Sequence, residues 1–264
     1  MIVALIDSGL GLLPTSAWLR RLRPELDLVL SLDPDGAPWG PKPASWVIDR
    51  VLGAAARSLD RGAEVIVLPC NTASVTALDH VRELVGPGIP VIGTVPAIKP
   101  AAAACESVAI WATAATTASR YQADLISEFA DGTEVVGVAC HGLADAIDRG
   151  DRAGALAAID DAAARTPAGV EGVVLGCTHY PLLRDEIVAA LPEGVLLFDS
   201  AEAVARQTLR RIDARQALRR MDAAAMDAPA GSGTVEVFVS GRPGSLPPSA
   251  ESFDAGRLLG AVRT

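Results

Sequence analysis

Short apolar runs that each break off into a polar turn constrain this chain more than any other feature. Residues 170–175 form one such run, and it ends in Gly176-Cys177-Thr178-His179-Tyr180-Pro181-Leu182-Leu183. An apolar run of this length, interrupted only by Glu171 and Gly172 and closed by Gly and polar residues, predicts a buried parallel strand that delivers a loop and a helix start. Glu64-Val65-Ile66-Val67-Leu68-Pro69 repeats the construction and leads into Cys70-Asn71-Thr72-Ala73-Ser74. Ligands of open α/β sheets bind beyond the carboxyl ends of the strands, so both thiols stand where chemistry is expected. A single Cys in such a place reads equally well as a packed core thiol. Two units built alike suggest two half-sites facing one ligand.

The remaining runs extend the plan. Residues 2–6 read as a first strand, and Asp7-Ser8-Gly9-Leu10-Gly11 as a Gly-containing turn opening a helix through Trp18 and Leu22. Asp7 and Ser8 are read either as caps of that helix or as functional groups at a further strand mouth. Periodicity predicts strands over 26–32, 90–93, 107–111, 134–139 and 195–198. It predicts helices over 45–59, 75–85, 121–129, 143–147, 151–164, 183–191 and 203–220. The loop 33–41 is dense in turn formers, and its Trp39 either covers a core edge or walls a pocket. The hydroxyl-rich turn from Thr113 to Ser119 either caps the next helix or holds a carboxylate there. Cys140-His141 ends its run without a polar cluster and is expected to be a structural thiol. Pro96 and Pro100 mark residues 95–100 as a crossing between halves. Residues 221–233 read as a linker, 234–239 as a late strand on the first sheet, and 255–259 as a short terminal helix.

Composition excludes several functions. At 264 residues and 50% hydrophobic content, the chain supports one large or two modest domains, and no apolar run reaches bilayer length. Residues 1–6 lack a basic region and are expected to be a strand, not a signal peptide. The net charge of −9 argues against a nucleic-acid partner. Arg206, Arg210, Arg211, Arg215, Arg219 and Arg220 share helical spacing with Asp213 and Asp222 and read as a solvated face. The cysteines at 70, 105, 140 and 177 are widely spaced, which favours free thiols and a cytoplasmic location. The two lysines, Lys42 and Lys99, lie beside prolines and suit no pyridoxal phosphate Schiff base. A zinc site from Cys70, Cys177 and His179 is disfavoured because the sequence has no tight local ligand pair. The expectation is therefore no cofactor and no metal.

Two thiols facing one ligand suit a particular reaction. Inverting the stereocentre of an amino acid requires removing the α-proton on one face and returning one on the other, so two acid/bases must bracket the carbon. Cys, with an ordinary pKa of about 8.5, is tuned to such work by nearby charges and donors, and Asp7 and His179 are the natural tuning partners.

The segments around Cys70 and Cys177 resemble the two signature segments of the cofactor-independent glutamate racemases, within the wider aspartate/glutamate racemase superfamily. Asp7-Ser8-Gly9, Pro38-Trp39-Gly40, residues 113–121 and Asp199-Ser200-Ala201-Glu202 follow in the family's order. The resemblance implies Cys70 and Cys177 as catalytic acid/bases assisted by Asp7 and His179. It implies Ser8, Trp39, Gly40, Asn71, Thr72, Thr113, Thr116 and Thr178 as the groups holding substrate. It further implies an α/β fold of two pseudo-symmetric three-layer domains with mostly parallel sheets and the active site between them. Residues 1–97 plus 206–264 would form the first domain and 98–205 the second. The implied role is cytoplasmic conversion of L- to D-glutamate for peptidoglycan precursors, by a monomer or homodimer without nucleic-acid or membrane partner. The chain departs from the pattern at Gly11-Leu12-Leu13-Pro14, where the family has a Gly-Gly pair. It departs also at Pro34 for Thr, Trp39 for Tyr, Ala112 for Gly and Asp148 for Glu. Two alternatives stay open: a relative acting on aspartate or another α-substituted acid, and a non-catalytic two-domain protein that binds a small anion.

Overall fold

The structure, a computed structural model, describes residues 1–222 and 233–260, without the side chains of 218–222. The first series is β1 (Ile2–Ile6), α1 (Leu13–Leu22), β2 (Asp27–Leu32), α2 (Ala44–Asp60), β3 (Val65–Leu68), α3 (Asn71–Thr76), α4 (Leu78–Val85) and β4 (Val91–Gly93). A second series opens with α5 (Ile98–Ala104), β5 (Ser107–Ala112), α6 (Ala114–Thr117), α7 (Arg120–Phe129) and β6 (Glu134–Ala139). It continues through α8 (Leu143–Arg149), α9 (Arg152–Arg165), β7 (Gly172–Leu175), α10 (Arg184–Ala190) and β8 (Leu196–Phe198). Helix α11 (Ala201–Asp222) then returns to pack on α1, β3 and β4. The chain closes with β9 (Val235–Val239), β10 (Arg242–Gly244) and α12 (Asp254–Gly260).

Two sheets result, with strand orders β10-β9-β2-β1-β3-β4 and β6-β5-β7-β8. Neighbouring strands are parallel except for the β9/β10 pair. Strands β3 and β7 are buried along their whole length, as expected of apolar runs covered on both faces by helices. In the first sheet the chain leaves β1 for β2 on one side and then crosses to β3 on the other. The second sheet repeats this about β5, with β6 on one side and β7 on the other. Each reversal opens a crevice at the carboxyl ends, where ligands of such sheets bind. Asp7 and Cys70 follow β1 and β3 at one crevice; Thr113 and Cys177 follow β5 and β7 at the other.

The core does not stop at the seam between the sheets. Leu10, Leu12 and Leu13 of the first half share one buried cluster with Trp111, Tyr180 and Leu183 of the second. Each large apolar side chain buried this way contributes about 1.5–3 kcal/mol.

Some elements differ from the sequence expectation. Residues 98–100 open helix α5, because a proline in the first helical turn gives up an N–H that has no partner there anyway. The expected helix 75–85 is interrupted at Ala77 and starts earlier, at Asn71. Strand β10 is an unanticipated hairpin partner of β9, turned by Ser240 (φ 47°) and Gly241 (φ 82°). Two positive φ values in a two-residue loop suit the twist of a hairpin. Met221 and Asp222 belong to α11; apart from these and Gly233, the expected linker lies outside the described residues, as do the Arg219 and Arg220 side chains. Arg206 pairs with Glu202 and Arg210 with Gln207 on an exposed face. No helix among the described residues is long and apolar enough to cross a membrane.

Candidate active site

All twelve residues singled out from the sequence line one cavity of about 240 Å³: Asp7, Ser8, Trp39, Gly40, Cys70, Asn71, Thr72, Thr113, Thr116, Cys177, Thr178 and His179. Its size falls below the range of about 300–1,000 Å³ common for drug-sized ligands, so it suits a small metabolite. A larger cavity of about 820 Å³ lies elsewhere, beside Trp18, Arg184 and Phe253, and has no cysteine in its wall.

Three hydrogen bonds that cross between the two halves tie the crevices together at the cavity. Asn71 Nδ2 donates to Gly176 O at 3.0 Å, Thr178 Oγ1 to Asp7 Oδ2 at 3.2 Å, and Leu10 N to Asp148 Oδ1 at 2.8 Å. The last bond serves the 3-10 turn before α1, and of the two readings of Asp7 and Ser8 the cap is not made. Asp7 is fully buried and instead accepts from the Ser8 N–H at 2.6 Å, with the Cys70 thiol beside its carboxylate. Thr113 does cap its helix: it accepts from Thr116 N at 3.3 Å, and the two hydroxyls lie 2.9 Å apart.

The two thiols have different partners. Cys70 is buried beside the Asp7 carboxylate, and burial first, then that negative charge, push its thiol well above the ordinary range. Burial likewise pushes Asp7 up to about 6, against the opposing effects of His179 and the Cys70 thiol. Cys177 is half-buried, with Sγ 3.7 Å from His179 Nδ1, and His179 Nε2 lies 3.1 Å from Asp148 Oδ1. Burial pushes the His179 ring down, but the charge and hydrogen bond of Asp148, together with Cys177, hold it well above its ordinary value. Burial pushes Asp148 up, yet His179 and the Leu10 N–H outweigh it and keep the carboxylate ionised. These neighbours favour the protonated ring, with one nitrogen facing Asp148 and the other facing Cys177.

Asp148 is not among the site residues that the sequence suggests, yet it lines the cavity. It was visible only as Asp in place of the family's Glu, between two helices, with no sign that it would meet His179, 31 residues away. Cys140 is buried as expected, with its thiol pushed up to about 12 by burial, yet it and His141 also line the cavity. Trp39 is buried, and its indole N–H donates to Asp33 Oδ2 at 2.9 Å. Among the described residues no group of three or more His, Cys, Asp or Glu could hold a metal ion.

Gly11 shows why the first turn needs glycine. A Cβ there would fall 2.5 Å from Asp7 Oδ2 and 2.7 Å from His179 Nδ1, and against Thr178 Oγ1. Gly11→Ala is expected to destabilise the protein by about 1–3 kcal/mol through overpacking. It should also displace Asp7 from Cys70. Urea unfolding and an activity assay check the two effects together; an unchanged variant on both counts contradicts the packing described.

Fold and site together define an α/β protein that presents cysteines from two sheet crevices to one small cavity. Residues 25–208 match the family model described as Asp/Glu/Hydantoin racemase, and the chain belongs to that family. The glutamate racemase of Pseudomonas putida is 39% identical over 215 residues, covering 80% of this chain and 80% of that protein. The structure of Escherichia coli glutamate racemase, in complex with L-glutamate and the activator UDP-MurNAc-Ala, matches with a TM-score of 0.74 at 31% identity. That match covers 95% of this chain and 91% of the other. Glutamate racemase from Thermus thermophilus, in complex with β-chloro-D-alanine, matches with a TM-score of 0.70 at 30% identity, over 98% and 92%.

Proposed function

We propose that the protein racemises glutamate by proton transfer at Cα between Cys70 and Cys177. The observation that carries the reading is that one small cavity holds both thiols, each with its own carboxylate-linked partner. In one direction the Cys177 thiolate, beside the His179 imidazolium, takes the α-proton, and the Cys70 thiol delivers its proton to the opposite face. The C–H bond breaks toward one sulfur and re-forms from the other, so no oxidant or reductant is consumed. The reverse direction starts from a Cys70 thiolate. Asp7, pushed up to about 6 by burial, is the group placed to accept that thiol's proton.

Binding follows from what the walls offer. No Lys or Arg lines the cavity, so the polar groups of Ser8, Asn71, Thr72, Thr113, Thr116 and Thr178 hold the substrate's carboxylates and ammonium and stabilise charge developing at Cα. Asn71 supports this assignment: its Nδ2 is spent on Gly176 O, while its buried Oδ1 has no partner among the described residues and can accept from the substrate ammonium. Trp39 and Gly40 form a wall. In this reading residues 1–97 with 206–264 and residues 98–205 are the two domains. The enzyme works in the cytoplasm, where its thiols stay reduced, as a monomer or homodimer without nucleic-acid or membrane partner, and its D-glutamate supplies peptidoglycan precursors.

The test is incubation with L-glutamate in deuterated water, after dialysis against a chelator and treatment with hydroxylamine. Deuterium at Cα and formation of D-glutamate are expected without any added cofactor. Activity that returns only with zinc or pyridoxal phosphate overturns the thiol mechanism. Measuring kcat/KM for both enantiomers of glutamate, aspartate and glutamine then fixes the substrate. A preference for aspartate or glutamine over glutamate by more than about tenfold, roughly 1.4 kcal/mol, moves the assignment to that amino acid.

A further inference from the structure

Trp39 lines two cavities at once: the catalytic one and a polar cavity of about 160 Å³ bordered by Ser31, Asp33, Arg50 and Arg57. A buried indole needs an acceptor for its N–H. Asp33, only 6% exposed, supplies that acceptor. The same carboxylate is forked by Arg50, whose Nε donates to Oδ2 at 2.8 Å and whose Nη2 donates to Oδ1. The Asp33 main chain is tied as well. Its N–H donates to Ser8 O at 3.1 Å, and its carbonyl accepts from Gly36 and Ala37. Arg50 sits on α2 and lies 5.4 Å from the Trp46 ring. Asp33 therefore joins the strand mouth that carries Ser8 through its main chain, and the loop that carries Trp39 and helix α2 through its carboxylate.

We propose that Asp33, clamped by Arg50, is a positioning residue that sets the Trp39 wall and thereby selects the length of side chain the cavity accepts. The inference rests on the racemase reading above. Without the carboxylate, the buried indole N–H loses its acceptor and the half-exposed Arg50 guanidinium turns to solvent, a loss at the indole relieved by turning the ring or shifting the loop. The space beside Trp39 then changes, while both thiols, Asp7 and His179 keep their partners. The effect falls on KM and on discrimination between acids of different length, not on proton transfer.

The test compares Asp33→Ala, Asp33→Asn and Trp39→Phe in the full chain. Asp33→Ala is expected to raise KM for glutamate about tenfold and keep kcat within about threefold. It should also narrow the preference for glutamate over 2-aminoadipate, one methylene longer, by about tenfold. Asp33→Asn, which keeps an oxygen for the indole, shifts both quantities in the same direction by less. In a Trp39→Phe background no indole N–H is left to hold, and Asp33→Ala should change KM less than about twofold. A fall in kcat at unchanged KM and preference overturns the proposal, as does an undiminished effect in the Trp39→Phe background. If Asp33→Ala does not fold, Asp33→Asn carries the same comparison. Should the wild type fail to racemise glutamate, the substrate reading fails by itself. Tryptophan emission still decides the positioning: it should shift in Asp33→Asn and not in Asp33→Asn combined with Trp39→Phe, and an unshifted single variant overturns it.

Discussion

Cys70→Ala and Cys177→Ala each lower racemisation of glutamate by at least about 10³-fold, the scale of a lost general acid or base. Each change leaves one face of the α-carbon without a group that can give or take a proton. The remaining thiol still reaches its own face, so each variant should exchange the α-hydrogen of one enantiomer with deuterated solvent without inverting it. The two variants should select opposite enantiomers. Cys105 lies outside the cavity, in the cluster with Ile98, Val108 and Leu125, and Cys105→Ala should alter packing while racemisation continues. Chiral chromatography together with proton NMR separates inversion from exchange. Near-normal racemisation by either of the first two variants removes the two-thiol mechanism.

Asp7→Asn should stabilise the folded protein above pH 6 and disable it. Burial raises the Asp7 pKa from 3.8 to about 6, so the folded state disfavours the ionised carboxylate. The sign follows directly. Below pH 3.8 the group is protonated in both states and nothing is lost. Between 3.8 and about 6 the wild type progressively loses stability, and above about 6 the whole penalty, about 3 kcal/mol, is present. Asn carries no such penalty, accepts from the Ser8 N–H through its oxygen, and presents its amide to Cys70 and Thr178. Urea unfolding of both proteins at pH 4 and pH 8 should give a gain for Asp7→Asn at pH 8 that shrinks toward pH 4. Racemisation should fall sharply at every pH, because Asn cannot take the Cys70 proton. The wild-type rate should decline as pH drops through about 6. A variant that is active, or that is less stable than wild type at pH 8, contradicts the role given to the buried carboxylate.

The division between what was legible in the chain and what was not has a physical basis. The apolar runs leading to Cys70 and Cys177 identify buried parallel strands because only apolar side chains suit a strand covered on both faces, and both strands are present at those places. Pro100 lies in the first turn of a helix where the sequence suggests only a crossing, since whether a proline ends a helix or opens one depends on where its missing N–H falls. The β9/β10 hairpin was missed because Ser240-Gly241 is a weak turn signal beside Asn-Gly.

By itself the sequence determined the strand-to-turn units, the chemical identity of the groups at each strand mouth, and through them the family. Those properties are local: they depend on hydrophobic period, on turn residues, and on which side chain comes next. Only the tertiary structure decided the electrostatics of the site. Asp148 meets His179, and Asp7 meets both Cys70 and Thr178, through contacts that span 31 and 171 residues for His179 and Thr178. Strand order at the two reversals sets those contacts. Burial then decides which groups stay ionised: Asp148 keeps its charge because His179 faces it, while Asp7, sealed from solvent, is pushed up to about 6. The energies involved depend on local solvent exclusion and interatomic distance, and neither quantity exists until the two halves have closed on each other.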